Sequence, residues 1–164
     1  MNREEMLKKA YDLGFAYERD FGGCGQCVIA AIQDTLGKRN VAVFKAGTAL
    51  AGGVAISSVG TCGAVVGSVM MLSSLLGRER NNFNDPKGGL KAFALAKELC
   101  KRFFAEYGGI NCPDVQKKLY GKSFKLSEPG VFKAFLEAGG HTFGCTSVCG
   151  NAAKWTIELL LDQK

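Results

Sequence analysis

Apolar residues in the first twenty positions recur at helical spacing, not in alternation. Met6, Leu7, Ala10, Leu13, Gly14, Tyr17 and Phe21 share one face with charges between them, which predicts an amphipathic helix from about Arg3 to Asp20. Gly22-Gly23 interrupts it. Val28, Ile29, Ala31, Ile32 and Leu36 then mark a second helix beginning near Gly25, and Gly37 suits its C-terminal end. A short third helix is expected from Val41 to Leu50. A flexible glycine-rich stretch, Gly52 to Thr61, follows, and then an apolar helix from Gly63 to Leu76.

The second half continues the pattern. The longest helix is placed from about Lys87 to Tyr107, with Leu90, Phe93, Ala94, Ala96, Leu99, Cys100, Phe103, Phe104 and Tyr107 on one broad face. A short helix follows Cys112, where Pro113 occupies the first-turn position that tolerates proline. Ser127-Glu128-Pro129 opens another, carrying Val131, Phe132, Phe135 and Leu136. The last helix carries Ala152, Ala153, Trp155, Ile157, Leu159 and Leu160. The phenylalanine stripes and Trp155 are assigned to the core. No segment alternates with period two, and no hairpin signal, repeat or linker interrupts the chain. Residues 1–164 are therefore expected to form a single all-α domain, a bundle of seven to eight helices.

Composition narrows the function classes. A chain of 164 residues buries roughly 70% of its unfolded surface, so stability alone demands no metal or disulfide. Lysine and arginine exceed acids by 21 to 15, a net charge of +6. Lys117, Lys118, Lys122 and Lys125 lie close together without a nucleic-acid motif, so they read as a solvated face and nucleic acid is not an expected partner. A basic surface also steers an acidic redox partner such as a ferredoxin. Residues 46–77 carry no charge, but the best apolar run, Ala64 to Leu76, is thirteen residues. A bilayer span needs about 20, so a buried central helix is expected and no membrane association. The charged start, Met1-Asn2-Arg3-Glu4-Glu5, lacks the apolar run of a secretory signal and points to the cytoplasm, where thiols stay reduced.

The single histidine excludes a histidine-rich metal site and makes any serine triad depend on His141. No phosphate loop, dinucleotide fingerprint, G-x-S-x-G or H-E-x-x-H occurs. The seven cysteines carry the chemistry. Cys24 precedes the second helix, Cys62 starts the apolar one, Cys112 stands before Pro113, and Cys145 opens or precedes the last. Four thiols thus fall at four predicted helix N-termini, where unpaired N–H groups and the helix dipole favour negative charge. Such a position lowers a thiol pKa and prepares it as nucleophile or metal ligand. Cys100, among Phe93, Leu99 and Phe103, reads as a core residue instead. Cys24/Cys27 and Cys145/Cys149 are C-x-x-C and C-x-x-x-C pairs, and together they would also make a four-sulfur zinc site. His141, four residues before Cys145, is either a structural residue or a ligand or proton donor there.

Four stretches resemble a family of redox-active proteins named for its cysteine pattern, C_GCAxxG_C_C. They are Cys24-Gly25-Gln26-Cys27-Val28, Thr61-Cys62-Gly63-Ala64-Val65-Val66-Gly67, Gly109-Ile110-Asn111-Cys112 with Leu119-Tyr120-Gly121, and Cys145 leading into Asn151-Ala152-Ala153. The resemblance implies that Cys24, Cys62, Cys112 and Cys145 are the shared set, with Cys27 and Cys149 as additions able to substitute for their neighbours. Related domains accompany electron-transfer modules, which by analogy favours a cluster over zinc.

The leading expectation is an iron–sulfur protein in which those four cysteines hold one [2Fe–2S] or [4Fe–4S] cluster for electron transfer. Two alternatives stand beside it: a metal-free thiol–disulfide redox protein or sensor, and a structural zinc protein using Cys24, Cys27, Cys145 and Cys149. Gly63-x-x-x-Gly67 permits close helix approach, within the chain or at a homodimer interface.

Overall fold

The computed structural model describes residues 1–163. Among them are eight α-helices: α1 Arg3–Asp20, α2 Cys24–Leu36, α3 Val41–Ala46, α4 Gly63–Leu76, α5 Leu90–Tyr107, α6 Cys112–Tyr120, α7 Val131–Glu137 and α8 Cys145–Leu161. No strand occurs among the described residues, and the all-α expectation holds. No helix among them is long and apolar enough to cross a membrane.

Each boundary has a local cause. Asn2 and Glu5 form a reciprocal capping box at the start of α1, and Asn111 with Asp114 repeats it at α6. Gly37, Gly108 and Gly121 end α2, α5 and α6 in the left-handed conformation that glycine adopts without strain. α4 packs against α2, α5 and α8, while α1 lies along α8 and α2. The core joins Val28, Ile29 and Ile32 of α2 to Leu72 of α4, Leu99 and Phe103 of α5, and Ile157 of α8. Glycines bring these helices close. A Cβ at Gly67 would overlap the Gly25 carbonyl, and one at Gly14 would lie 2.6 Å from the Cys149 carbonyl oxygen. The Gly63-x-x-x-Gly67 spacing thus works within the chain, between α4 and α2.

Several expectations need correction. The helix from Val41 ends at Ala46 and passes through Gly47 into a 3-10 turn, Thr48–Leu50. α5 begins at Leu90 instead of Lys87, and its buried face is Ala92, Leu95, Leu99, Phe103 and Tyr107. Phe93 is 76% exposed, and Leu90 and Phe104 are also exposed, because the core occupies a narrower stripe than the run of apolar residues suggests. Phe21, placed on the buried face of α1, is 79% exposed.

The glycine-rich stretch expected to be flexible is a defined left-handed coil. Gly52, Gly53, Val54, Ala55 and Ile56 all have φ between 52° and 76°. Hydrogen bonds from Ala55 N–H to Ala49 O (2.8 Å), Ile56 N–H to Ala51 O (3.0 Å) and Ser58 N–H to Gly52 O (2.8 Å) hold it. For Val54, Ala55 and Ile56 this conformation costs on the order of 1–2 kcal/mol each. That strain is retained beside the cavity described next, where strained backbone concentrates in proteins.

Candidate functional site

The four helix N-termini expected to carry cysteines do so, and they converge. Cys24 is the first residue of α2, Cys62 the N-cap of α4, Cys112 the first residue of α6 and Cys145 the first residue of α8. All four line one cavity of about 490 Å3, joined by Cys149, Glu18 and His141. Its remaining wall is largely apolar, including Ala51, Ile56, Val115, Phe132 and Phe135.

A short backbone bridge sets two of the thiols side by side. The Cys62 N–H donates to Ile110 O (2.8 Å) and the Cys112 N–H to Gly60 O (2.9 Å), around an isolated antiparallel bridge between Thr61 and Asn111. Two residues on each side are too few for a strand pattern, so the sequence gives no sign of it. Gly63 lets Cys24 approach α4, since a Cβ there would overlap Cys24 Sγ. Cys145 follows a π-helical turn, Gly140–Gly144, and its N–H donates to the Tyr120 hydroxyl at 3.2 Å. The Tyr120 hydroxyl in turn points at Cys145 Sγ (3.8 Å), and Gln116 Nε2 at Cys112 Sγ (3.5 Å). Gln116 is fixed by accepting the Phe124 N–H at 2.6 Å.

Backbone donors face the sulfurs as well: Gly52 and Gly25 toward Cys24, and Ala64 and Val65 toward Cys62. Helix-end position alone argues for lowered thiol pKa values, but burial outweighs it here. Desolvation pushes Cys62 and Cys112 up to about 12, reinforced by Cys112 beside Cys62 and by Cys24 beside Cys112. Burial raises Cys24, Cys145 and Cys149 further still, with Glu18 and neighbouring thiols adding to it. The protein without a bound cation therefore holds these cysteines as neutral thiols, and metal binding is what would displace their protons.

The other candidate residues separate. All seven cysteines are free. Cys27 is buried but does not line the cavity; its thiol donates to Gly22 O at 3.0 Å. Cys149 does reach the cavity, and its thiol points at Cys24 O (3.9 Å). Cys100 packs against the core as a half-buried residue away from the cavity, as expected. Among the described residues no three or more of His, Cys, Asp and Glu are gathered to hold a single metal ion.

Glu18 is the residue that sequence reading missed. It is 3% exposed, stands in the last turn of α1, and continues the buried stripe of Ala10 and Gly14 at four-residue spacing. That register was the available signal: an acid on the apolar face of an amphipathic helix. Its Oε1 lies 3.6 Å from His141 Nε2. His141 is half-buried, edge-on to Phe132 and Phe135, and burial lowers its pKa. Burial raises the Glu18 carboxyl to about 7, with the Cys27 and Cys149 thiols offsetting part of the effect.

A pH dependence follows. An unfolded chain releases the Glu18 proton near pH 4.5, whereas the folded protein keeps it to about 7. The unfolded state binds fewer protons across that window, so Glu18 makes stability fall as pH rises through it, by roughly 3 kcal/mol. His141 acts in the opposite sense, so the comparison must be with Glu18→Gln. Denaturant unfolding of the metal-free protein at about pH 5 and about pH 8 should show a fall that the variant lacks. Equal slopes in both proteins would contradict this assignment.

No curated protein and no solved structure matches the chain. A family match does exist, described as "Putative redox-active protein (C_GCAxxG_C_C)", and it covers residues 23–159. It spans Cys24, Cys62, Cys112 and Cys145, with α2, α4 and α6 whole and α8 as far as Leu159. The chain belongs to the C_GCAxxG_C_C family of redox-active proteins.

Proposed function

We propose that the cavity holds an iron–sulfur cluster on Cys24, Cys62, Cys112 and Cys145, and that the protein transfers electrons. The observation that carries this reading is the convergence of four thiols, from four helix N-termini, on one cavity. The donor set fits the group. Thiolates are the soft ligands that clusters require, and four of them complete a [2Fe–2S] or [4Fe–4S] centre. Cys27 lies off the cavity, which weighs against zinc on Cys24, Cys27, Cys145 and Cys149. When bound, the cluster would supply a one-electron couple.

The chain's own groups have definite tasks in this reading. The Gly52, Gly25, Ala64 and Val65 N–H groups stabilise negative charge on Cys24 and Cys62, and such hydrogen bonds raise a cluster's potential. Tyr120 and Gln116 do the same for Cys145 and Cys112. The apolar wall limits water at the sulfurs. Phe21 and Ile56, both lining the cavity and exposed, mark its mouth, where an acidic partner such as a ferredoxin would meet this basic chain. Iron and acid-labile sulfide assays on protein purified without oxygen test the reading. Both are expected in stoichiometric amount; their absence after anaerobic reconstitution would overturn it.

A further inference from the structure

α5 carries two apolar stripes, and the fold uses one of them. Ala92, Leu95, Leu99, Phe103 and Tyr107 are buried, where α5 packs on α4, α6 and α8. Leu90, Phe93, Lys97, Cys100 and Phe104 recur at alternating spacings of three and four, which sets them along a second face. Cys100 is half-buried, and the other four are exposed. Contiguous exposed apolar surface of this kind marks interaction sites.

At its N-terminal end the outer stripe borders a second cavity, of about 320 Å3, between α4 and α5. Val69 and Ser73 of α4, Leu90, Phe93 and Ala96 of α5, and Arg78 line it. Arg78 also lies over the Phe83 ring, 4.6 Å from its centre, so the exposed Phe83 extends the apolar surface. No residue lines both this cavity and the one that holds the thiols. Ser73 is eleven residues along α4 from Cys62, or about 16 Å. The two faces are separate.

The charge around the stripe says what covers it. Arg78, Arg80, Lys87, Lys91 and Lys97 are exposed and make no ion pair among the described residues. The acids among residues 78–102 are Glu79, Asp85 and Glu98, and Glu98 is held by Lys101 at 2.9 Å. Two acids thus remain against five cations. Lys97 stands at the middle of the stripe, so a two-fold pairing of whole stripes would set it against its own copy.

We propose that the outer stripe of α5 and the groove between α4 and α5 dock an acidic amphipathic helix of another protein. Its apolar residues, at the same spacing, cover Leu90, Phe93 and Phe104, and a bulky one fills the cavity beside Val69. Its carboxylates meet Lys91 and Lys97. The proposal is independent of the cluster reading.

The test uses a designed peptide of about three heptads, labelled for fluorescence anisotropy. It carries Leu at three-and-four spacing, one central Glu to meet Lys97, and Glu on both flanks, which keeps it from pairing with itself. A second peptide has Lys in place of every Glu. The full chain should bind the acidic peptide roughly tenfold or more tightly than the basic one. Phe93→Ser should weaken the acidic peptide roughly tenfold, the effect of losing one buried aromatic contact. Lys97→Glu should shift preference toward the basic peptide. Both positions are exposed, and circular dichroism of the variants should match the parent. No binding of the acidic peptide, equal binding of the two peptides, or binding indifferent to both substitutions would overturn the proposal. Sedimentation with phosphatidylserine-containing vesicles that Phe93→Ser abolishes would overturn it in favour of a lipid surface. A dimer in analytical ultracentrifugation that the same substitution dissociates would overturn it in favour of a second copy.

Discussion

Cys62→Ser is expected to remove essentially all visible absorption from anaerobically prepared protein, while Cys100→Ser leaves it intact. Both cysteines lie in or against the helical core, so packing alone does not separate them. The cavity does. Cys62 lines it as the N-cap of α4, receives the Ala64 and Val65 N–H groups, and is locked beside Cys112 by the bridge to Ile110. Cys100 sits on α5 with no place in the cavity wall. Serine offers a harder, less readily ionised donor than a thiolate, so it holds soft metal poorly. The loss of one sulfur from Cys62→Ser should cost little stability, well under that of a large-to-small core change. Full absorption in Cys62→Ser would remove this residue from the ligand set, and loss of absorption in Cys100→Ser would place the set elsewhere.

Gly63→Ala should have the second large effect, on both stability and cofactor retention. The added Cβ would meet Leu50 O at 2.8 Å and Gly25 N at 3.1 Å, and would overlap Cys24 Sγ. Two of these neighbours are backbone atoms of packed elements and cannot move aside cheaply. Overpacking of this kind costs about 1–3 kcal/mol, which for a chain of this size lowers Tm by roughly 2–4 °C per kcal/mol. Displacement of Cys24 should also lower the iron content. Gly108→Ala is the control: its φ of 78° penalises a side chain, but open space surrounds it and it is outside the cavity wall. It should lower Tm with iron content unchanged. If Gly63→Ala retains full iron and stability, the close approach of Cys24 to α4 is not what shapes the site.

The placement of the four cysteines at helix starts was legible because helix ends leave local marks. Gly22-Gly23, Asn111-Cys112-Pro113 and Gly144 carry chain-breaking or capping chemistry that can be read one residue at a time. Their meeting in one cavity was suggested by that coincidence and by the family resemblance, but it depends on long-range packing. Two determinants were not legible. The bridge at Thr61 and Asn111 joins segments fifty residues apart through backbone atoms that any residue possesses. The coil from Gly52 to Ile56 places Val54, Ala55 and Ile56 against their own preferences, so propensity argues for another conformation. Glu18 lay between these cases: its register was readable, but amphipathic helices usually turn such a residue to solvent. The apolar face of α5 was overread for a related reason, since Leu90, Phe93 and Phe104 are exposed despite their type.

The most direct measurement is the visible spectrum of anaerobically purified protein, with iron and acid-labile sulfide determined on the same sample. Broad visible absorption with matching iron and sulfide is the result expected of thiolate-ligated clusters. A colourless protein that takes up neither iron nor sulfide on anaerobic reconstitution would contradict the account and leave the cavity to thiol or small-molecule chemistry.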